Sequence, residues 1–222
     1  MIAIVQNDPD VPPGTLIEAL TADRREITVI RLYASERLPV LSGLSAAIVL
    51  GGAMSVKDTE TFPFLVGLKE WMRRILDTEM PFLGICLGGQ LLAEVAGGQV
   101  LFRMNEEYGC KPVTMTDEGI ADPLFKGISS PFMTFHYHTD CFVPPKGSVH
   151  LAWTEQCRHQ AFRSGPCAYG LQFHPEVDRS IVSHWVDLTA GQYPILEHFE
   201  KLEGAIRSVS AVVFKNFLDL TS

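Results

Sequence analysis

The sequence has no Cys-x-x-Cys pair and no surplus of basic residues. Its cysteines are odd in number and irregularly spaced, at positions 86, 110, 141, 157 and 167. A disulfide framework or a zinc knuckle needs cysteines paired at characteristic spacings, so both classes are excluded. Asp and Glu total 26 against 18 Lys and Arg, which gives a net charge of -8. Because nucleic-acid binders concentrate positive charge, we expect no nucleic-acid partner.

The chain also lacks a long apolar run and a basic leader. Residues 1–8 reach Asp8 without a Lys or Arg, whereas a secretory signal begins with basic residues. A transmembrane helix needs about 20 consecutive apolar residues, and no apolar run approaches that length. We therefore expect no membrane association and a cytoplasmic location. No linker, low-complexity segment or repeat divides the 222 residues, which predicts one domain over 1–222.

Short apolar segments alternate with amphipathic ones in the first part of the chain. Ile2–Val5, Ala46–Leu50 and Pro81–Ile85 are almost continuously apolar, which is typical of parallel strands covered on both faces. Residues 64–76 carry apolar side chains every three or four positions and predict a crossover helix. The alternation predicts an α/β fold with three α/β/α layers, a mostly parallel sheet flanked by helices.

The rest of the chain follows two other patterns. Between residues 98 and 170, short β-rich segments at 112–115, 148–153 and 159–162 are separated by Gly and Pro. They predict a small antiparallel β portion. Apolar residues then recur at helical spacing near the end of the chain, which predicts a C-terminal helix at about 196–220.

Cys86 stands at a predicted strand-to-helix turn with glycine on both sides. Gly84 and Gly88 lie two residues before and after it, and small neighbours relieve the crowding of such a turn. The N-terminus of the following helix favours negative charge, and therefore a thiolate, at this position. A buried structural cysteine would fit the local pattern as well. The remaining four cysteines lack this setting and are interpreted as small buried side chains.

His174 is the partner that the sequence offers for Cys86. Pro175 restricts His174 to extended geometry. Residues two apart in an extended segment point to the same side, so Glu176 can reach one imidazole nitrogen and leave the other for a thiol. Nucleophile, base and orienting carboxylate are the three parts of a catalytic triad.

Gly51-Gly52 ends another predicted parallel strand. Sites in open α/β sheets form beyond the carboxyl ends of the strands, where the Cys86 and His174 segments also end. The backbone N–H groups of Gly52 and Leu87 are therefore our candidates for an oxyanion hole. A tight turn without any function would explain this glycine pair equally well.

Taken together, the segments Gly84 to Gln90, His174-Pro175-Glu176 and Gly51-Gly52 resemble the class I (triad) glutamine amidotransferases. The resemblance is closest to the glutaminase half of GMP synthase and its stand-alone relatives, on the segments Gly52-Ala53-Met54-Ser55-Val56, Glu107-Tyr108-Gly109 and His138-Thr139-Asp140. Ala53 and Thr139 depart from the proline and glycine usual in GMP synthases. The resemblance implies a flavodoxin-like fold and hydrolysis of the glutamine side-chain amide.

The resemblance also implies roles for individual residues. Cys86 would attack the γ-carbonyl to form a γ-glutamyl thioester, and His174 would protonate the departing ammonia. The implied substrate-binding residues are Gly51, Gly52, Gln90, Tyr137, His138 and Thr139. The sequence carries no Gly-x-x-x-x-Gly-Lys or Ser-Gly-Gly nucleotide loop, so we expect no cofactor and a separate ATP-dependent synthetase chain as partner.

Three alternatives remain open from the sequence. The triad could serve a stand-alone γ-glutamyl hydrolase or peptidase. A triad sequence can also persist in a binding protein without turnover. Finally, His136 and His138, with His174 nearby, could hold a metal; lacking a carboxylate or cysteine companion at ligand spacing, the pair is interpreted as structural, and no metal is expected.

Overall fold

A computed structural model of the chain describes residues 1–188 and 193–221. The sheet strands follow one another along the chain as β1 (Ile2–Gln6), β2 (Ile27–Arg31), β3 (Ala46–Val49), β4 (Phe82–Ile85), β5 (Gln99–Leu101), β6 (Glu107–Met115), β7 (Phe132–His138), β8 (Cys141–Val143), β9 (Val149–Trp153), β10 (Ala161–Ser164) and β11 (Ala168–Leu171). The α-helices are α1 (Thr15–Ala22), α2 (Phe64–Asp77), α3 (Leu87–Val95), α4 (Asp117–Ala121), α5 (Arg179–Leu188) and α6 (Tyr193–Asp219).

The parallel half of the main sheet has the order β2-β1-β3-β4-β11. Every residue of β1, β3 and β4 is buried, as the continuous apolar runs predicted. The crossover helix predicted over 64–76 is α2. Because β4 and β11 are neighbours, Cys86 and the His174 segment follow adjacent strands at the same edge of the sheet.

The antiparallel part is larger than the sequence suggested. Strands β10, β9, β6 and β7 form the predicted antiparallel portion and continue the nine-stranded sheet beyond β11. The long ladder between β6 and β7 runs from Glu107–His138 to Val113–Phe132. This extension places the end of β7 beside the carboxyl ends of the parallel strands.

Helices cover both faces of the sheet and complete the predicted three layers. Ile2 and Ile4 of β1 face a cluster that contains residues of α1 and α6, whereas Ala3 and Val5 face one that contains residues of α2 and α3. This alternation is the period of a strand. Within the described part of the chain, no helix combines the length and the hydropathy needed to cross a membrane.

Candidate active site

Cys86 occupies a strained position between β4 and α3. Its φ of 50° and ψ of -108° lie outside the regions that residues with a side chain favour. Two backbone hydrogen bonds hold it: its N–H donates to Leu171 O at 2.7 Å, and its carbonyl accepts from Gln90 N at 2.9 Å. The sulfur therefore lies at the N-terminus of α3.

The glycines around Cys86 are required by close backbone contacts. A Cβ atom on Gly88 would lie 2.0 Å from Val49 O, and one on Gly84 would lie 2.4 Å from the Gly88 carbonyl. No side chain fits at either position without moving backbone. The glycine pattern seen in the sequence thus has the steric cause proposed for it.

His174 and Glu176 are held together in the protein interior. His174 Nδ1 lies 2.7 Å from Glu176 Oε1, and both residues are buried. The His174 backbone N–H donates to Phe135 O at 2.8 Å, and the Glu176 carbonyl accepts from Thr15 N at 2.9 Å. Two other elements, β7 and α1, therefore fix the orientation of this pair.

The charge environment of His174 favours its protonated form. Burial lowers the pKa of His174, but the negative charges of Glu176 and Cys86 outweigh burial and raise it to about 10. Nδ1 is bound to Glu176, so Nε2 is the ring nitrogen left for Cys86, whose side chain contributes to the raised pKa. The arrangement can hold a proton between a sulfur nucleophile and a carboxylate-oriented imidazole.

The Gly51-Gly52 loop lies against His174 and Cys86. A Cβ atom on Gly51 would lie 3.3 Å from His174 Cε1 and 3.5 Å from Cys86 Cβ, and one on Gly52 would lie 3.0 Å from Leu87 Cδ2. The next residue, Ala53, donates its backbone N–H to Asp8 Oδ2 at 2.9 Å. The loop is thus anchored with the Gly52 and Leu87 segments side by side.

A cavity of about 480 Å³, called here the larger cavity, opens beside Cys86. Of the residues named from the sequence, those that line it are Gly52, Cys86, Gln90, Tyr137, His138 and Thr139. Gly51 and Leu87 do not line it; both are buried, Gly51 beside Cys86 and Leu87 beside Gly52. The sequence reasoning missed three charged residues of the same cavity: Asp58, Arg103 and Asp140.

Gln90 and His138 converge on one backbone carbonyl. Gln90 Nε2 lies 3.2 Å from Asp140 O, and His138 Nδ1 lies 3.1 Å from the same oxygen. Gln90 Nε2 also donates to Gln172 Oε1 at 3.3 Å. These contacts tie the end of β7 to α3 and shape the floor of the larger cavity.

Gln172 is a further site residue that the sequence reasoning missed. Its Nε2 lies 3.7 Å from Cys86 Sγ. The sequence contained a signal for it. Gln172, His174 and Glu176 are spaced two apart, and residues two apart in an extended segment point to the same side, so Gln172 could have been predicted in the same way as Glu176.

A buried polar cluster lies behind His138. Thr154 Oγ1 donates to both carboxylate oxygens of Glu107, at 3.0 and 3.1 Å, and Gln160 Nε2 donates to Oε2. His138 Nε2 lies 3.3 Å from Glu107 Oε2. Burial raises the pKa of Glu107, but the contacts with His138 and its other partners outweigh burial, and the pKa is lowered.

A carboxylate and a cysteine, the ligands that the metal hypothesis lacked at suitable spacing in the sequence, lie close to His138 in the folded protein. Ligand atoms of Glu107, His138 and Cys157 lie within 4.8 Å of one another. His136 Nδ1 lies 3.7 Å from Glu107 Oε2, and burial lowers the pKa of His136 to about 3, so its imidazole is neutral and forms no ion pair with Glu107. His174 is engaged with Glu176 instead. The donor set is of a kind that zinc accepts, while the Glu107 oxygens already receive hydrogen bonds.

Comparison with known proteins gives consistent matches. The model of the family "Glutamine amidotransferase class-I" matches residues 14–184. A glutamine amidotransferase-like protein of Salmonella typhimurium is 32% identical over 150 residues, which cover 66% of this chain and 63% of that protein. One subunit of the glutamine-hydrolyzing GMP synthase of Sulfurisphaera tokodaii is 42% identical over 105 residues, 46% of this chain and 54% of that protein.

A solved structure of a glutamine amidotransferase has the same fold as this chain. The crystal structure of a glutamine amidotransferase from Thermotoga maritima superposes with a TM-score of 0.89 at 25% identity, covering 98% of this chain and 97% of that one. The matches to the two curated relatives span less than two thirds of each relative's length. Because the family model matches most of the sequence, this chain belongs to the class-I glutamine amidotransferase family.

Proposed function

We propose that this chain is a glutaminase in which Cys86, His174 and Glu176 form the catalytic triad. The observation that carries the proposal is the buried 2.7 Å pair of His174 and Glu176, with the other imidazole nitrogen left for a strained cysteine at a helix N-terminus. Triad chemistry requires this order of nucleophile, base and orienting group.

The larger cavity offers charges that suit the α-carboxylate and the α-amino group of glutamine. Arg103 offers a cation for the α-carboxylate, and Asp58 and Asp140 offer anions for the α-amino group. Gln90, Tyr137, His138 and Thr139 complete the binding surface, with Gly51 buried beside Cys86. The γ-carbonyl is then directed at Cys86, with its oxygen toward the N–H groups of Gly52 and Leu87.

The reaction proceeds through a thioester. The Cys86 sulfur bonds to the γ-carbonyl carbon, the carbon–nitrogen bond breaks, and His174 gives its proton to the leaving ammonia. Water, deprotonated by His174, then attacks the thioester and releases glutamate and the Cys86 thiol. Glu176 keeps the imidazole oriented and stabilises its charged form in both steps.

The ammonia is destined for another chain in this proposal. One relative is named as a subunit of a glutamine-hydrolyzing GMP synthase, which supports a comparable ATP-dependent synthetase as partner here. We also propose that residues 1–222 form a single glutaminase domain and that it works in the cytoplasm, where a reducing environment keeps Cys86 as a free thiol.

Labelling with the glutamine-like electrophile 6-diazo-5-oxo-norleucine tests the proposal. We expect mass spectrometry to find one label on Cys86, glutamine to slow the labelling, and Cys86→Ala to abolish it. Cys167→Ala is the matched control, because Cys167 lies outside the site and is partly exposed. A Cys86 that stays unlabelled in the folded protein, alone and with a synthetase added, would contradict the proposal and favour a binding role.

A further inference from the structure

A smaller cavity of about 260 Å³ meets the larger one at Cys86. Gly52, Ala53, Cys86 and Tyr137 line both cavities, whereas His174 lines only the smaller one. The nucleophile therefore stands where the cavities join, and the proposed proton donor faces the smaller. Because His174 protonates the leaving nitrogen, a substituent on that nitrogen would extend into the smaller cavity.

The wall of the smaller cavity is largely apolar. The Trp185 ring lies 5.0 Å from the His174 ring and 5.3 Å from the Tyr137 ring, between centroids. Val11 adds a buried aliphatic side chain, and Leu188 lies at the mouth with 57% of its surface exposed. An apolar cavity of about 150 Å³ can hold benzene, so this cavity has room for a phenethyl group.

The two carboxylates of this cavity, those of Asp8 and Asp10, are already engaged. Asp8 accepts from Ala53 N at 2.9 Å and from Asp10 N at 3.0 Å, and Asp10 Oδ1 lies 2.8 Å from His184 Nε2. Among the described residues that line the cavity there is no Lys or Arg. A leaving group that carries a carboxylate would meet the like charges of Asp8 and Asp10, and protonated His174 is already paired with Glu176, so a carboxylate is disfavoured.

We propose that the Cys86 site also hydrolyses γ-glutamyl amides of apolar amines that lack a carboxylate. The γ-glutamyl part occupies the larger cavity and the apolar part of the amine occupies the smaller one. Cys86 sulfur bonds to the γ-carbonyl carbon, the carbon–nitrogen bond breaks, and the amine leaves with the proton of His174. Water then converts the thioester to glutamate and regenerates the thiol. This inference rests on the proposed triad chemistry and adds a substrate class to it.

Two probes that differ only in a carboxylate test the inference. γ-Glutamyl-phenethylamide and γ-glutamyl-phenylalanine share the aromatic ring, and glutamine serves as the reference. We expect kcat/KM for the phenethylamide to exceed that for the dipeptide about tenfold or more, within the range that pocket contacts give. An equal or reversed preference overturns the inference.

Charge substitutions at the mouth separate recognition from folding effects. Leu188→Glu should widen the preference for the phenethylamide over the dipeptide, and Leu188→Lys should narrow it, because Lys supplies the missing counter-ion. Val66→Glu and Val66→Lys are matched controls, since Val66 is 58% exposed on α2 and lines neither cavity. Shifts of the same direction for both Leu188 variants, or equal shifts at Val66, overturn the assignment.

The same assay distinguishes this inference from the proposed function. Cleavage of glutamine without cleavage of the phenethylamide refutes only the second substrate class. Failure to cleave any of the three compounds, together with an unlabelled Cys86, refutes the triad chemistry itself.

Discussion

The side-chain amide of Gln172 bridges Cys86 and Gln90. Its Nε2 lies 3.7 Å from Cys86 Sγ, and its Oε1 accepts from Gln90 Nε2 at 3.3 Å. Gln172 is completely buried, so its amide has a fixed orientation. In the proposed triad chemistry a donor directed at sulfur would stabilise a thiolate, so we infer that Gln172 is a positioning residue that acts through Cys86.

Replacing Gln172 with Leu should therefore slow the chemical step. A hydrogen bond to a charged group contributes about 1.5–3 kcal/mol, so we expect kcat to fall roughly 10- to 100-fold, with a smaller change in KM. Steady-state glutaminase kinetics would measure this. Gln156→Leu, at an exposed position, is the control. A rise in KM with kcat unchanged would contradict this prediction and would show that Gln172 only holds Gln90 in place for substrate binding.

The raised pKa of His174 predicts a pH dependence of stability. A histidine has a pKa of about 6.5 when unfolded, and that of His174 in the folded protein is about 10. Its contribution is fully present below pH 6.5 and is lost as the pH rises toward 10. Urea denaturation between pH 6 and pH 10 should show wild type losing stability relative to His174→Gln. Parallel curves for the two proteins would contradict this.

Gly88 should not tolerate alanine. The added Cβ would lie 2.0 Å from Val49 O, so strand or helix must shift, at a cost of about 1–3 kcal/mol or more. Thermal unfolding would show a lowered Tm and Cys86 labelling would slow. Gly67→Ala in α2 is the control: its Cβ meets nothing within 4 Å, and removal of a helical glycine stabilises by about 0.5–1 kcal/mol. Equal effects of the two substitutions would refute the steric argument.

Glu107→Gln should destabilise the protein most at neutral pH. The substitution removes the buried charge beside His138 and weakens the contacts from Thr154, which we expect to cost about 1–3 kcal/mol. Because the pKa of Glu107 is lowered, its contribution is present above pH 4.5 and declines as the pH falls through the folded-state value. Chemical denaturation at pH 7 and pH 4 measures the difference, with exposed Glu106→Gln as the control. A loss that grows toward low pH would contradict this prediction.

Metal analysis should find no stoichiometric zinc on the purified protein. Glu107, His138 and Cys157 are close enough to share an ion, but hydrogen bonds from Thr154 and Gln160 already occupy the carboxylate oxygens. Inductively coupled plasma mass spectrometry of protein incubated with excess zinc and then desalted measures the content. One retained equivalent that disappears in Cys157→Ser, but not in Cys110→Ser, would revive the metal hypothesis.

Local sequence was sufficient for three strands of the parallel half of the sheet and for the choice of a candidate nucleophile and base. Continuous apolar runs predicted β1, β3 and β4, because strands covered on both faces must be apolar throughout. Local geometry depends on neighbouring residues in the chain. The glycines around Cys86 indicate a tight turn, and the two-residue spacing of His174 and Glu176 places both side chains on the same side of an extended segment. Such short-range constraints can be read without knowing which strands are neighbours.

The tertiary structure decided what joins distant parts of the chain. The pairing of β11 with β4 brings Gln172 beside Cys86, 86 residues away in sequence, and the extension of the sheet through β6 and β7 brings Glu107 to His138. The smaller cavity likewise combines the loop after β1 with α5. Sequence patterns fix which face of an element is buried, but strand order and register decide which buried faces meet.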